Sequence, residues 1–200
     1  MIITLGNIVF GGKGNGGSST ASAYVVPDGM SFGYSTLIPF DDFDFTQKTK
    51  FRYCWYYCSS LTEFPLLNTS RGTDFWFAWN GCSGLTSFPQ LDLSSGTNFG
   101  FAWGSCSKLA SFPALDLSNG TNFWYAWDNC SALTTLGGFG AIKADIDLSY
   151  SPKLTVDSLM NVITQAATVT GKTMTLGSTN LAKLTDEQKA VATNKGWTLA

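Results

Sequence analysis

From residue 51 onward the apolar positions of this chain recur every 24 residues, in four blocks that begin at Phe51, Phe75, Phe99 and Phe123. With each Phe as slot 1, slot 5 holds Trp55, Trp79, Trp103 and Trp127, and slot 8 holds Cys58, Cys82, Cys106 and Cys130. Slot 11 is Leu61, Leu85, Leu109 and Leu133; slot 14 is Phe64, Phe88, Phe112 and Leu136, followed by proline in the first three blocks. A partial match reaches upstream: Leu37, Phe40, Phe43, Asp44 and Thr49 stand 24 residues ahead of Leu61, Phe64, Leu67, Asn68 and Thr73. One such unit cannot bury its apolar face alone, so a period in the range of about 20 to 50 residues predicts the stacked turns of a solenoid.

Within a block, Phe99, Ala102, Trp103 and Cys106 follow the i, i+3, i+4, i+7 pattern, which predicts a helix or a short 3₁₀ run. Gly96, Thr97 and Asn98 supply a turn and a cap before it. Leu109, Phe112, Leu115 and Leu117 predict a short strand and an extended return limb, with Pro113 ending the hydrogen-bonded part. Strands of successive turns would lie about 4.8 Å apart in a parallel sheet, stacking like side chains into ladders. Toward the end, Val156, Leu159, Met160 and Ile163 predict an amphipathic helix. Thr185 with Gln188 predicts a capping box opening a second helix that stops by Gly196. Residues 174–176 and 197–199 are the expected last strands.

The string Cys82-Ser83-Gly84-Leu85-Thr86-Ser87-Phe88-Pro89, the Leu-Asp-Leu-Ser-x-Gly-Thr-Asn strings at 91–98 and 115–122, and the tail over 176–199 together resemble the BspA-like branch of the leucine-rich repeat proteins. The resemblance covers roughly residues 27–200. It implies an α/β fold: a leucine-rich-repeat solenoid of parallel stacked short strands and 24-residue turns, capped by a C-terminal helix-strand-helix-strand segment. The expected organisation is an N-terminal docking segment and linker over 1–24, the repeats over 25–154 and capping turns over 155–200. The family holds surface and tail-associated binding proteins with diverse partners, so fold alone does not name a ligand.

Composition narrows the classes. Forty-four per cent apolar and 14% aromatic residues in 200 suffice for one elongated core. A net charge of −2 with 13% charged residues leaves no basic footprint for nucleic acid. No run approaches about 18 apolar residues, which argues against membrane insertion. There is no histidine, so the commonest general base is missing, and the carboxylates of Asp44, Asp92 and Asp116 recur in phase as turn residues. Asp41, Asp42 and Asp44 lack the spacing of a calcium loop, and Gly6 to Lys13 lacks that of a phosphate loop. No cofactor or metal is expected. The cysteines, one per turn plus Cys54 in the slot of Ala78, Ala102 and Ala126, predict a reduced, buried thiol ladder, ahead of disulfides and of zinc. Replacing Cys106 by Ser should then be costly, since a buried hydroxyl would lack a partner.

Recognition is expected where slots vary against a fixed core: Arg52, Trp76, Gly100 and Trp124 in slot 2, Tyr56, Asn80, Gly104 and Asp128 in slot 6, Tyr57, Gly81, Ser105 and Asn129 in slot 7. The candidate ligand-binding residues are Arg52, Tyr56, Tyr57, Trp76, Trp124 and Asp128, because exposed aromatics suit sugar faces or protein hot spots. Trp76 and Trp124, two turns apart, should stand roughly 10 Å from one another. The strand-side residues Thr62, Glu63, Thr86, Ser87, Thr134 and Thr135 are the competing surface. Residues 1–10 read as an apolar docking segment for other virion proteins or for sister chains in a homo-oligomer, joined by a flexible Gly/Ser-rich linker over 11–20. The start lacks the features of a secretory leader. Together these predict a non-enzymatic adhesin of a phage or prophage virion that recognises a host cell-surface glycan or protein. The alternatives are a bacterial surface adhesin with its leader removed, a structural virion spacer and, more distantly, a hydrolase.

Overall fold

The computed structural model describes residues 2–5, 8–11 and 23–200. The centre of the chain is a pile of turns in 24-residue register, with parallel bridges running Lys50 to Asp74 to Asn98 to Asn122. On the opposite side Ser87 bridges Ser111, and the two-residue strands β5 (Ser111–Phe112) and β6 (Thr135–Leu136) pair in parallel. Upstream, β3 (Tyr24–Val25) and β4 (Phe43–Asp44) form a similar short pair beside a single 3₁₀ turn at Phe40–Asp42.

The segment read as a helix or a short 3₁₀ run is neither, but a series of turns. Phe75, Phe77, Trp79 and Gly81 donate their N–H groups to the carbonyls of Asn98, Gly100, Ala102 and Gly104 in the next turn, at 2.8–3.0 Å. The amides between them close three-residue turns within their own block, Ala78 onto Phe75 and Cys82 onto Trp79. A helix would direct every amide to its own i−4 carbonyl and leave none for the neighbouring turn. Here alternate amides bind along the stack and the rest bind within the turn, so the backbone is satisfied in two directions. Slots 3 and 7 carry positive φ in all four blocks to make this possible, from 52° at Tyr125 to 76° at Gly81. The i, i+3, i+4, i+7 burial survives the change of backbone: Phe99, Ala102, Trp103 and Cys106 are all fully buried.

Equal spacing of identical residues yields continuous side-chain columns. Phe51, Phe75, Phe99 and Phe123 stack at 5.1, 5.4 and 5.5 Å between ring centroids, and Trp55, Trp79, Trp103 and Trp127 at 5.2, 5.6 and 5.3 Å. The four indole N–H groups are buried without a hydrogen-bond partner, so that column is held by ring contact and apolar burial alone. Glycine at slot 22 makes room for the Phe column, since a Cβ on Gly72, Gly96 or Gly120 would enter the ring of Phe75, Phe99 or Phe123. Ahead of the first block that slot is Lys48, a buried lysine whose ammonium donates to the carbonyls of Pro27, Asp28 and Met30 at 2.7–3.2 Å.

The thiols are free and buried. Cys82, Cys106 and Cys130 donate Sγ–H to the carbonyls of Trp55, Trp79 and Trp103 in the preceding turn, at 3.1–3.2 Å. The expectation that a serine hydroxyl at 106 would lack a partner is therefore corrected: the Trp79 carbonyl faces it. Polar ladders flank the columns. Asn122 donates to Asn98 Oδ1 and Asn98 to Asp74 Oδ1, both at 2.9 Å, while Thr97 and Thr121 donate to the carbonyls of Thr73 and Thr97. The recurrent acids are turn residues: Asp92 and Asp116 accept from the amides of Ser94 and Ser118.

The C-terminal part changes character. Strands β7 (Ile146–Asp147), β8 (Lys172–Thr175) and β9 (Trp197–Leu199) form a parallel sheet in that order, joined by α1 (Val156–Gln165), α2 (Gly177–Leu181) and α3 (Asp186–Thr193). The short α2 lies between β8 and α3, so the cap has one helix more than the alternation expected from the sequence. Thr155 caps α1 by accepting from the Ser158 amide, and Thr185 with Gln188 forms a reciprocal capping box on α3. Lys195 donates to the carbonyls of Ile163, Thr164 and Ala166, satisfying the end of α1. At the other extreme, β1 (Ile2–Leu5) and β2 (Ile8–Gly11) pair antiparallel. The apolar start thus forms two paired strands. The linker reading lies, apart from Gly11, outside the described residues.

Candidate functional site

The positive-φ backbone of slot 3 places an aromatic ring on the outside of each turn, and these rings form a third column. Tyr53, Phe77, Phe101 and Tyr125 stack at 5.1, 4.5 and 5.2 Å, within 24° of parallel. A left-handed conformation costs a bulky residue about 1–3 kcal/mol. Ring stacking of about 0.5–1.5 kcal/mol per pair and the hydrogen bonds along the stack offset it. The result is an aromatic ridge running the length of the repeats.

Four tyrosines close one end of the ridge. Tyr34 stacks on Tyr57 at 5.6 Å and meets Tyr56 edge-on at 5.6 Å, while Tyr56 contacts Tyr53 and Tyr57. Tyr34 and Tyr57 are 69% and 45% exposed, so this cluster faces solvent. Burial, with Tyr34 and Tyr57 beside it, pushes the Tyr56 phenol above its ordinary value.

Three other expected residues come together further along, more tightly than the rung count implied. Trp76 and Trp124 are 6.3 Å apart, not about 10 Å, because Gly100 stands between them and has no side chain. A Cβ there would lie 2.5 Å from the Trp76 ring. Trp76 leans across that gap, and Arg52 sits 5.9 Å over its ring while pairing with Asp74 at 3.6 Å. Trp124 remains 59% exposed. Asp128 belongs to a different neighbourhood: burial first, and then the Asp147 carboxylate, raise its pKa above the usual value.

Spacing arguments passed over Tyr34, Tyr53, Phe77, Phe101 and Tyr125. Slot 3 is aromatic in every block, and that constancy was the available signal; attention to variable slots hid it. Also unread was a cavity of about 190 Å³ where the last regular turn meets the cap, lined by Trp124, Tyr125, Asp145, Asp147 and Thr175. On the strand side a wider hollow of about 390 Å³ lies between residues 36–40 and 60–65 and includes Thr62 and Glu63.

Among the described residues no three His, Cys, Asp or Glu side chains group as metal ligands, and no helix is long and apolar enough to cross a membrane. Burial raises the thiols out of the nucleophilic range, Cys54 and Cys130 to about 12 and Cys58 to about 11. The arrangement suits contact: Tyr34, Tyr53 and Tyr57 are exposed at one end of the ridge and Trp124 at the other. Comparison with protein-family models, with curated proteins and with solved structures finds no match.

Proposed function

We propose that this chain is a non-enzymatic binding module built as a leucine-rich-repeat solenoid of the BspA-like kind, acting as an adhesin toward a host cell-surface glycan or protein. One observation carries the reading: an unbroken aromatic ridge that ends in solvent at Tyr34 and Tyr57 and, at the far end, at Trp124. Exposed aromatics concentrate binding energy in few residues. Placement on a phage or prophage virion, with residues 1–10 as the attachment point, or alternatively on a bacterial surface, rests on the family resemblance. The test is binding of the full chain to host cells and to a glycan array. The double variants Tyr34→Ala with Tyr57→Ala and Trp76→Ala with Trp124→Ala should each weaken binding without lowering the melting temperature by more than a few degrees.

A second reading has its own support. The slot 3 rings face one another at 4.5–5.2 Å, which uses their faces within the molecule. That suits a rigid virion spacer. Absence of binding to any cell or array by the wild-type chain would select the spacer.

A further inference from the structure

Hydrogen bonding along the stack lapses at one place. The odd-slot amides of three successive turns all donate forward, Phe99, Phe101, Trp103 and Ser105 to Asn122, Trp124, Ala126 and Asp128 being the last set. The next set would come from Phe123, Tyr125, Trp127 and Asn129 to the turn containing β7, and none of these N–H groups donates to a backbone carbonyl among the described residues. Strand β7 pairs on its far edge with β8, and the side-chain ladder ends before it: Asn122 is the last amide of its column, since Ile146 occupies the following position. The 190 Å³ cavity lies in this gap, with Phe123 and Tyr125 on one wall and Asp145, Ile146 and Asp147 on the other.

The walls differ in chemistry. On the repeat side are two backbone donors directed along the stack and the exposed Trp124 ring. On the cap side are two carboxylates with acceptor capacity to spare. Asp147 Oδ1 accepts from the Ser149 amide and hydroxyl at 2.9 and 2.6 Å, leaving Oδ2 without a donor. Asp145 Oδ1 accepts from the Thr173 amide at 2.6 Å, and its Oδ2 lies 3.5 Å from the exposed Lys172. Asp145 and Asp147 set two carboxylates against the one Lys172 ammonium, so a further anion would be repelled.

We propose that this gap is a subsite for one neutral hexopyranose ring, the terminal or side-chain sugar of a glycan. An aromatic face takes the apolar C–H face of the ring, and a hydroxyl both accepts and donates, so one ring can meet the Phe123 and Tyr125 amides and the Asp145 and Asp147 carboxylates together. The volume holds a single ring. An extended peptide laid as the missing rung could also accept from those amides, but it would offer no row of hydroxyls to the carboxylates and would need more length than the cavity has. The proposal rests on the adhesin reading and narrows it to a sugar and to a place.

Saturation-transfer NMR and calorimetry on the full chain would use the methyl glycosides of glucose, galactose, mannose and N-acetylglucosamine as probes. Methyl glucuronide and a neutral blocked tetrapeptide serve as comparisons. At least one neutral glycoside should saturate with Kd in the range of about 1–10 mM. Trp124→Ala should abolish this binding, and Asp147→Asn, which keeps the Ser149 turn, should weaken it about tenfold. The proposal is overturned if no neutral glycoside saturates, if glucuronide or peptide binds more tightly, or if both site variants bind like wild type. Cell binding that persists without glycoside binding leaves the adhesin reading standing and removes this subsite; glycoside binding without cell binding does the reverse.

Discussion

The repeats and the C-terminal cap solve the same problem in opposite ways. Both must satisfy backbone groups and bury one apolar surface in a chain that advances by turns. In the repeats the amides of slots 1, 3, 5 and 7 of the first three blocks pair forward, those of Thr73, Thr97 and Thr121 pair back with the preceding turn, and the buried side chains recur from one turn to the next. Such a region has no local terminators and no end of its own. The cap ends it with helices of ordinary kind, bounded by Thr155, by the Thr185–Gln188 box and by the lysines that satisfy loose carbonyls. Repetition gives the centre its regularity; polar local signals give the cap its boundary.

The sharpest way to separate the two regions is alkali. All five thiols lie between 54 and 130, and none is in the cap. Burial holds Cys54 and Cys130 at about 12 and Cys58 at about 11, from an ordinary 9.0, and raises Cys82 and Cys106 as well. Above pH 9 the unfolded chain releases protons that the folded chain keeps. Stability is therefore complete below about pH 9 and declines toward pH 11–12, by about 1.4 kcal/mol per pH unit for each thiol. Urea unfolding at pH 8, 9 and 10 should show this, with hydrogen exchange losing protection first over 51–136. A flat profile would mean that the thiols are not buried as described.

Next in size is removal of a ring from a column. Trp103→Ala takes a fully buried indole from between Trp79 and Trp127 and should cost about 3–5 kcal/mol by chemical denaturation. Third, Gly96→Ala drives a methyl into the Phe99 ring and should cost about 1–3 kcal/mol. Gly171→Ala, at the turn before β8, meets open space and has only its φ of 64° against it, so about 1 kcal/mol is expected. Equal losses at the two glycines would erase the contrast between a crowded stack and a roomy cap.

Smaller still is Thr185→Ala, which removes the capping box from α3 and should cost about 0.5–2 kcal/mol, read as a lower melting temperature with repeat protection retained. Smallest should be Cys106→Ser. The Trp79 carbonyl 3.2 Å from Sγ can accept from a hydroxyl, so the loss should stay within about 1 kcal/mol, whereas Cys106→Ala leaves that carbonyl only its bond from the Cys82 amide. Ser losing more than Ala would show that the shorter side chain cannot reach.

Residue spacing by itself determined the register of this protein, the buried slots 1, 4, 5, 8 and 14, the turn role of Asp92 and Asp116, and the capping box at Thr185. Each depends on a repeat within the chain or on groups three residues apart, and such distances are legible in one dimension. It did not disclose that slots 1–8 run as alternating turns, because apolar periodicity reports which residues are buried and says nothing of where the amides point. Nor did it disclose the approach of Trp76 to Trp124, which follows from a missing side chain at Gly100 one turn between them. The partner of Cys82, Cys106 and Cys130 is a carbonyl 27 residues earlier, and the cavity beside Trp124 lies where the last regular turn meets β7. Those features were decided by contacts across turns, where steric room and competing hydrogen bonds act between residues that the linear order keeps far apart.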